Sequence, residues 1–296
     1  MRTEDHTPGR AALDPGALQR AVVRPGGLWR AVEITDSTGS TNADLLAGAA
    51  RGAQEGLVLA AEEQTAGRGR MGRTWVSPPR AALTFSLLVR PADVPPARWG
   101  WLPLLAGVAA ASAVTAVTGT PVRLKWPNDL LEGPVGRKSP GTPAEAPGQP
   151  AAVAGKLGGI LTEAAGDAIV VGIGVNVSAG PQELPPSGPG GLPATSLRVL
   201  GAASLDRQRL LAGILAGFEH WYRAWRRAAG DAERSGLHAE YIRLSATLGR
   251  RVRIELPGGQ VLSGLAVGVD PEGRLLVRAS PDAVLPVAAG DVVHLR

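Results

Sequence analysis

Residues 56–90 read GLVLAAEEQTAGRGRMGRTWVSPPRAALTFSLLVR, and how this stretch is read decides the fold. Its left end, GLVLAAEE, is a nearly unbroken apolar run of the kind that makes a buried strand. Its right end, ALTFSLLVR, alternates Leu83, Phe85, Leu87 and Val89 against Thr84 and Ser86, the period of a strand. The segment between them, GRGRMGRTW from Gly67 to Trp75, is therefore a loop joining two strands. Glycine lets backbone amides approach a ligand closely, and arginine brings a planar fork of donors suited to carboxylate or phosphate. The loop suits an anion, but it is not a Walker A motif: no Gly-Lys-Ser/Thr follows, and it leads into a strand where a helix is required. On these residues alone, a phosphate cradle, a nucleic-acid hook and an arginine-rich loop in an arginine-rich protein all stand.

Composition narrows the choice. A chain of 296 residues with 44% hydrophobic content has room for one sizeable core and a smaller second domain. The longest apolar run, Trp101 to Gly119, is interrupted by Pro, Ser and Thr and predicts a buried helix, so no membrane partner is expected. The charged N-terminus lacks the apolar core of a signal peptide, and a cytoplasmic location is expected. There is no cysteine, and four scattered histidines have no ligand spacing, which excludes thiolate metal sites. The net charge is +5, yet only three of the 31 basic residues are lysines: Lys125, Lys138 and Lys156. The arginine excess reads as compositional bias, whereas each lysine merits inspection.

Outward from the central stretch, residues 1–33 are rich in Pro, Gly, Ala and Arg and predict a disordered or poorly ordered lead-in. STNADLLAGAARG predicts a short helix with Thr41 as N-cap, Asp44 as a capping-box acid and Gly52 as its stop. PVRLKWPNDLL is a strand running into a Pro-Asn-Asp turn. A Pro/Gly/Ala-rich insertion at about 132–153 reads as disordered. GKLGGILTEA and AIVVGIGVNV are two strands, the second apolar enough to be central. A Pro/Gly-rich loop at 179–194 precedes a helix at 205–229 with Leu211, Leu215, Phe218, Tyr222 and Trp225 on one stripe. From residue 246 short strands and turns predict a small barrel, giving a larger domain at 34–245 and a smaller one at 246–296.

GSTN (39–42), EQTAGRGRMGR (63–73), KWPND (125–129) and GKLGGIL (155–161), in this order, resemble the biotin protein ligases, as do GIGVNV and the terminal AGDVVHLR. The resemblance implies an α+β fold: a mixed β-sheet catalytic domain of the class II synthetase-like biotin/lipoate ligase type, plus a small C-terminal SH3-like β-barrel. It implies that biotin and ATP form biotinyl-adenylate (biotinyl-AMP), with Mg²⁺ accompanying the nucleotide. The biotin then passes to a lysine of a biotin carboxyl carrier protein domain of a biotin-dependent carboxylase. Arg68, Arg70 and Lys156 take the catalytic roles. Ser40, Thr41, Asn42, Gln64 and Gly69, with those three, correspond to biotin contacts. Gly67, Arg70, Arg73, Trp75, Lys125, Trp126, Asn128 and Asp129 correspond to nucleotide contacts, and Asp129 also to a Mg²⁺ ligand. Thr41 is open to a capping role as well. In the family the loop orders on ligand binding, excluding water from the anhydride.

Two departures follow. The Asp129-to-Lys156 connection is long for the family, and Lys138 within it rivals Lys156; Gly159, Ile160 and Leu161 favour Lys156. The 33 residues ahead of the catalytic domain cannot supply a winged helix, so a ligase without repressor function or specific nucleic-acid partner is expected, monomeric or homodimeric. A lipoate ligase, which shares the fold, is the enzymatic alternative; an arginine-rich nucleic-acid binder does not account for the four motifs together.

Overall fold

Asp14 and Pro15 start the first helix. The computed structural model describes residues 9–133, 155–186 and 192–295. Beyond Gly133, the segment read as an insertion, with Lys138 in it, lies outside the described residues. Helix α1 (Pro15–Val22) is capped by Asp14, whose carboxylate accepts from the Ala17 amide at 3.0 Å, and it buries Leu18 and Val22 one turn apart. Strand β1 (Ala31–Thr38) follows.

Residues 9–33 are thus not the disordered lead-in that their composition predicts. Arg10 pairs with Glu183 at 2.7 Å, the Leu13 amide donates to Glu62 at 2.6 Å, and Trp29 donates its indole N–H to the Leu215 carbonyl at 3.0 Å. Glu62 also meets Arg207 at 2.6 Å in a buried ion pair. Every anchor lies far away in the chain, so no local periodicity records it.

Helix α2 (Thr41–Ala50) is capped by Ser40 and not by Thr41: the Ser40 hydroxyl accepts from the Ala43 amide. Then come β2 (Leu57–Gln64), β3 (Ala82–Val89), α3 (Trp101–Thr118), β4 (Val122–Lys125), β5 (Asp129–Glu132), β6 (Lys156–Ala165) and β7 (Ala168–Asn176). The seven strands form one sheet in the order β1-β2-β3-β7-β6-β5-β4; β1 and β2 run parallel and the other pairs antiparallel, which is the expected mixed sheet. The apolar β7 holds the middle place.

The alternation in β3 does not mark an exposed face. Leu83, Phe85 and Leu87 join the main core with α3, whereas Leu88 packs with Leu45 and Ala49 of α2. Ser86, on the α2 side, is fully buried. Helix α4 (Arg207–Arg227) covers the opposite face beside α3, and its predicted stripe of Leu211, Leu215, Phe218, Tyr222 and Trp225 is buried throughout. Each such side chain contributes about 1.5–3 kcal/mol.

After α5 (Leu237–Leu244), strands β8 (Arg251–Glu255), β9 (Val261–Val269), β10 (Leu275–Ser280), β11 (Ala283–Val287) and β12 (Asp291–His294) form an antiparallel sheet in the order β11-β10-β9-β8-β12. Two indoles fasten it to the larger domain. Trp101 donates to the Asp270 carbonyl at 3.1 Å and Trp126 to the Gly273 carbonyl at 3.2 Å. Gly100 and Gly273 meet so closely that a Cβ on Gly273 would stand 2.7 Å from the Gly100 carbonyl carbon.

Candidate active site

Lys125 and Asp129 are direct partners across the β4–β5 hairpin, so their side chains share a face around the Trp-Pro-Asn turn. The Lys125 ammonium lies 3.1 Å from one Asp129 oxygen, and the Lys156 ammonium 2.6 Å from the other. The Lys156 side chain runs over Gly159 on its way to Asp129, its Cε 3.6 Å from where a Cβ would stand. Burial pushes the Asp129 carboxyl up, but the charges and hydrogen bonds of Lys156 and Lys125 outweigh it and hold the group below the ordinary carboxylate range. The site thus keeps one carboxylate ionised between two cations.

The Gly67–Trp75 loop closes on itself as a small hairpin. The Trp75 amide donates to the Gly67 carbonyl at 2.9 Å, the Gly69 amide to the Arg73 carbonyl at 2.7 Å, and Arg68 bridges Thr74. At its tip Met71 is left-handed, with φ 54°, and its side chain is exposed. Each arginine meets a different wall. Arg68 lies 3.6 Å from Glu163 on β6, Arg70 donates to the Asn128 side-chain oxygen at 3.4 Å, and Arg73 pairs with Asp291 of β12. Burial lowers the Arg70 pKa, against the opposing pull of Asp129 and Asp291.

On the α2 side the polar groups are neutral. Gln64 accepts from the Thr41 amide at 2.8 Å; the Thr41 and Ser86 hydroxyls touch at 2.6 Å, and Ser86 donates to the Asn42 oxygen at 2.6 Å. Asn42 spends both amide hydrogens, on the Leu161 carbonyl at 3.1 Å and Glu163 at 2.7 Å. The Thr41 hydroxyl also lies 3.0 Å from the Gln64 side-chain oxygen, so its one hydrogen is shared between acceptors on Gln64 and Ser86 while Ser86 donates to Asn42. Asn42 lines the cleft but is committed to its neighbours, and Gly172 makes room for it: a Cβ there would stand 2.2 Å from the Asn42 oxygen.

These three groups surround one cleft. It is lined by Ser40, Thr41, Asn42, Gln64, Arg68, Gly69, Arg70, Arg73, Trp75, Lys125, Asn128, Asp129 and Lys156, fifteen fewer two of the candidates read from the sequence. The two outside it are Gly67 and Trp126. Gly67 serves inside the hairpin, where a Cβ would collide with the Trp75 carbonyl, and Trp126 is buried toward Gly273. Both border a second groove on the far side of the loop. The floor of the cleft is β7, where Gly174 lets the Trp75 ring lie flat: a Cβ there would stand 2.6 Å from the ring. The buried Trp75 indole N–H has no acceptor among the described residues.

Sequence reading missed Ser86, Glu163 and Asp291. Ser86 read as the polar side of a strand, and the two acids carry no motif; only the fold brings them beside the loop and α2. Asp129 does not fit a Mg²⁺ ligand here, because both of its oxygens already hold ammonium groups, whereas Mg²⁺ takes open carboxylate oxygens. Among the described residues no group of three His, Asp or Glu could hold a metal ion.

The C-terminal sheet supports the KWPND turn from behind. The Trp126 amide donates to the Thr247 hydroxyl at 3.0 Å, and that hydroxyl lies 3.1 Å from Nε2 of His294. Burial first, then the charges of Lys125 and Arg250, push the His294 pKa down from 6.5 to about 4, against the pull of Asp129. The unfolded chain therefore takes up a proton below about pH 6.5 while the folded protein resists until about pH 4, and stability is lost across that window as pH falls. Thermal unfolding at pH 7.5 and pH 5 checks this: the wild type loses several degrees more on acidification than His294→Gln, which has no proton to take up.

A family model described as the biotin/lipoate A/B protein ligase family matches residues 34–178, and one described as the biotin protein ligase C terminal domain matches residues 247–295. The class defined by the fold and the cleft is thus a two-domain ligase of the biotin/lipoate type. The chain is 43% identical over 291 residues to the biotin–[acetyl-CoA-carboxylase] ligase of Mycobacterium tuberculosis, covering 97% of each. It is 30% identical to the bifunctional ligase/repressor BirA of Bacillus subtilis, over 96% of this chain and 81% of that one. A biotin protein ligase from Aquifex aeolicus, solved in complex with biotin and ATP, superposes with a TM-score of 0.67 at 25% identity over 90% of this chain and 98% of that one. The chain belongs to the biotin protein ligase family.

Proposed function

We propose that the protein activates biotin with ATP and transfers it to a lysine of a biotin carboxyl carrier domain. The observation that carries this reading is the junction, under one hairpin, of a neutral hydrogen-bonding pocket with a cation-lined cleft. Biotin's ureido ring has two N–H donors and one carbonyl acceptor, which the hydroxyl oxygen of Thr41 and the Gln64 amide N–H groups complement. Seated there, the molecule directs its carboxylate toward Arg68, Arg70 and Lys156.

In the first step a carboxylate oxygen attacks the α-phosphorus of ATP and the bond to the bridging oxygen breaks, so that pyrophosphate leaves with the electron pair. Arg70 and Lys156 stabilise the charge on the phosphoryl oxygens without having to reorganise. Asp129 holds Lys156 in place. In the second step the neutral amine of the carrier lysine attacks the carboxyl carbon of the mixed anhydride, AMP leaves, and the nitrogen gives up a proton. The folded hairpin keeps water from the anhydride. Mg²⁺ in this reading rides on the ATP phosphates, and no residue of the chain is assigned to it.

The test supplies the purified protein with ATP, a carrier domain, and labelled biotin or lipoate. One biotinyl group added to one carrier lysine, read by mass, is the expected result. Incorporation of lipoate but not biotin defeats the reading.

A further inference from the structure

Glu163 lies on β6, past the glycines that floor the path of Lys156, and its two oxygens face different elements. One accepts from the Asn42 amide at 2.7 Å; the other stands 3.6 Å from the Arg68 guanidinium. The Asn42 end is clamped. That side chain is 4% exposed, its oxygen takes the Ser86 hydroxyl, its second N–H is spent on the Leu161 carbonyl, and it lies in the room that Gly172 leaves. The Arg68 end is loose: the arginine is 48% exposed at the base of the hairpin, and Glu163 is its one carboxylate partner among the described residues. A fixed amide therefore holds an acid, and the acid holds a mobile cation.

From this geometry we infer that Glu163 is a positioning residue coupling the pocket at the start of α2 to closure of the arginine hairpin. The inference rests on the ligase reading above. Thr41, next to Asn42, meets the ureido ring in that reading, so a ligand that steadies the start of α2 also steadies Glu163, and through it Arg68. Without the charge at position 163 the hairpin opens more often, water enters, and biotinyl-adenylate is lost as biotin and AMP before the carrier arrives.

Glu163→Gln keeps an acceptor for Asn42 and removes the charge facing Arg68; Glu163→Ala removes both. The informative readout is AMP released per biotinyl-lysine formed, beside the KM for biotin. Glu163→Gln raises that ratio about 3- to 5-fold, the worth of a partly exposed ion pair, with a KM near wild type. Glu163→Ala also raises the biotin KM about tenfold, because it leaves a buried amide N–H without a partner. In an Arg68→Ala background, Glu163→Gln adds no further leak. A wild-type ratio in Glu163→Gln overturns the coupling and leaves the ligase reading standing, as does a leak that simply adds to that of Arg68→Ala. Thermal unfolding of Glu163→Gln close to wild type keeps the result free of folding loss. A wild-type protein that forms no adenylate at all overturns both readings.

Discussion

Lys156→Ala slows formation of biotinyl-adenylate about 10²- to 10³-fold and leaves the protein folded. The magnitude is that of removing one preorganised donor from a transition state that is gaining charge. The fold survives because each group left behind keeps a partner. Asp129 still has Lys125 at 3.1 Å, and the contacts that seat Lys156 in the structure are main-chain ones, its amide to the Pro193 carbonyl and its carbonyl to the Thr195 amide. Lys125 would be the poorer probe: its side chain is 8% exposed against 32% for Lys156, and its loss costs packing as well as charge. Single-turnover adenylation, with circular dichroism as the control for folding, separates chemistry from stability. Normal turnover would pass the role to Lys138.

Arg70→Ala acts on both formation and retention of the adenylate. The guanidinium is half-buried between the hairpin and the KWPND turn, and its protein partner is one long hydrogen bond to Asn128, 3.4 Å. So little is invested in that bond that stability changes by no more than about 0.5 kcal/mol. In the proposed mechanism the same cation faces the phosphate, and its loss is expected to cost about 10²-fold in rate and to let bound adenylate dissociate faster. Preloading with labelled biotin, then chasing with unlabelled biotin, reads retention directly. Lys156→Ala slows the forward step more than it speeds dissociation, whereas Arg70→Ala changes both; equal adenylate lifetimes in Arg70→Ala and wild type would count against the role given to the loop.

What the sequence revealed, and what it did not, follows the range of the forces involved. The strands on either side of the hairpin, the buried α3, the central β7 and the stripe of α4 are written in local periodicity, and the structure matches them. Lys125 and Lys156 stood out as scarce lysines, and the resemblance set them beside Arg70 and Asp129; the four do meet in one cleft. The N-terminal segment misled because its order depends on Glu62, Glu183 and Leu215, which no window around residues 9–33 contains. The cap of α2 fell to Ser40 where Thr41 was expected: either hydroxyl can cap a helix, and Thr41 instead meets Ser86 from another strand. Glu163 and Asp291 were silent for the same reason, since an acid acquires its meaning from the arginine that the fold places before it.

Part of the seam between the two domains rests on main-chain acceptors. Trp101 and Trp126 both spend their indole N–H groups on carbonyl oxygens, those of Asp270 and Gly273, which any residue supplies. As far as these two bonds go, the side chain of the accepting residue can change. The meeting of Gly100 and Gly273 is where such change stops, because there a single added methyl group forces two backbones apart.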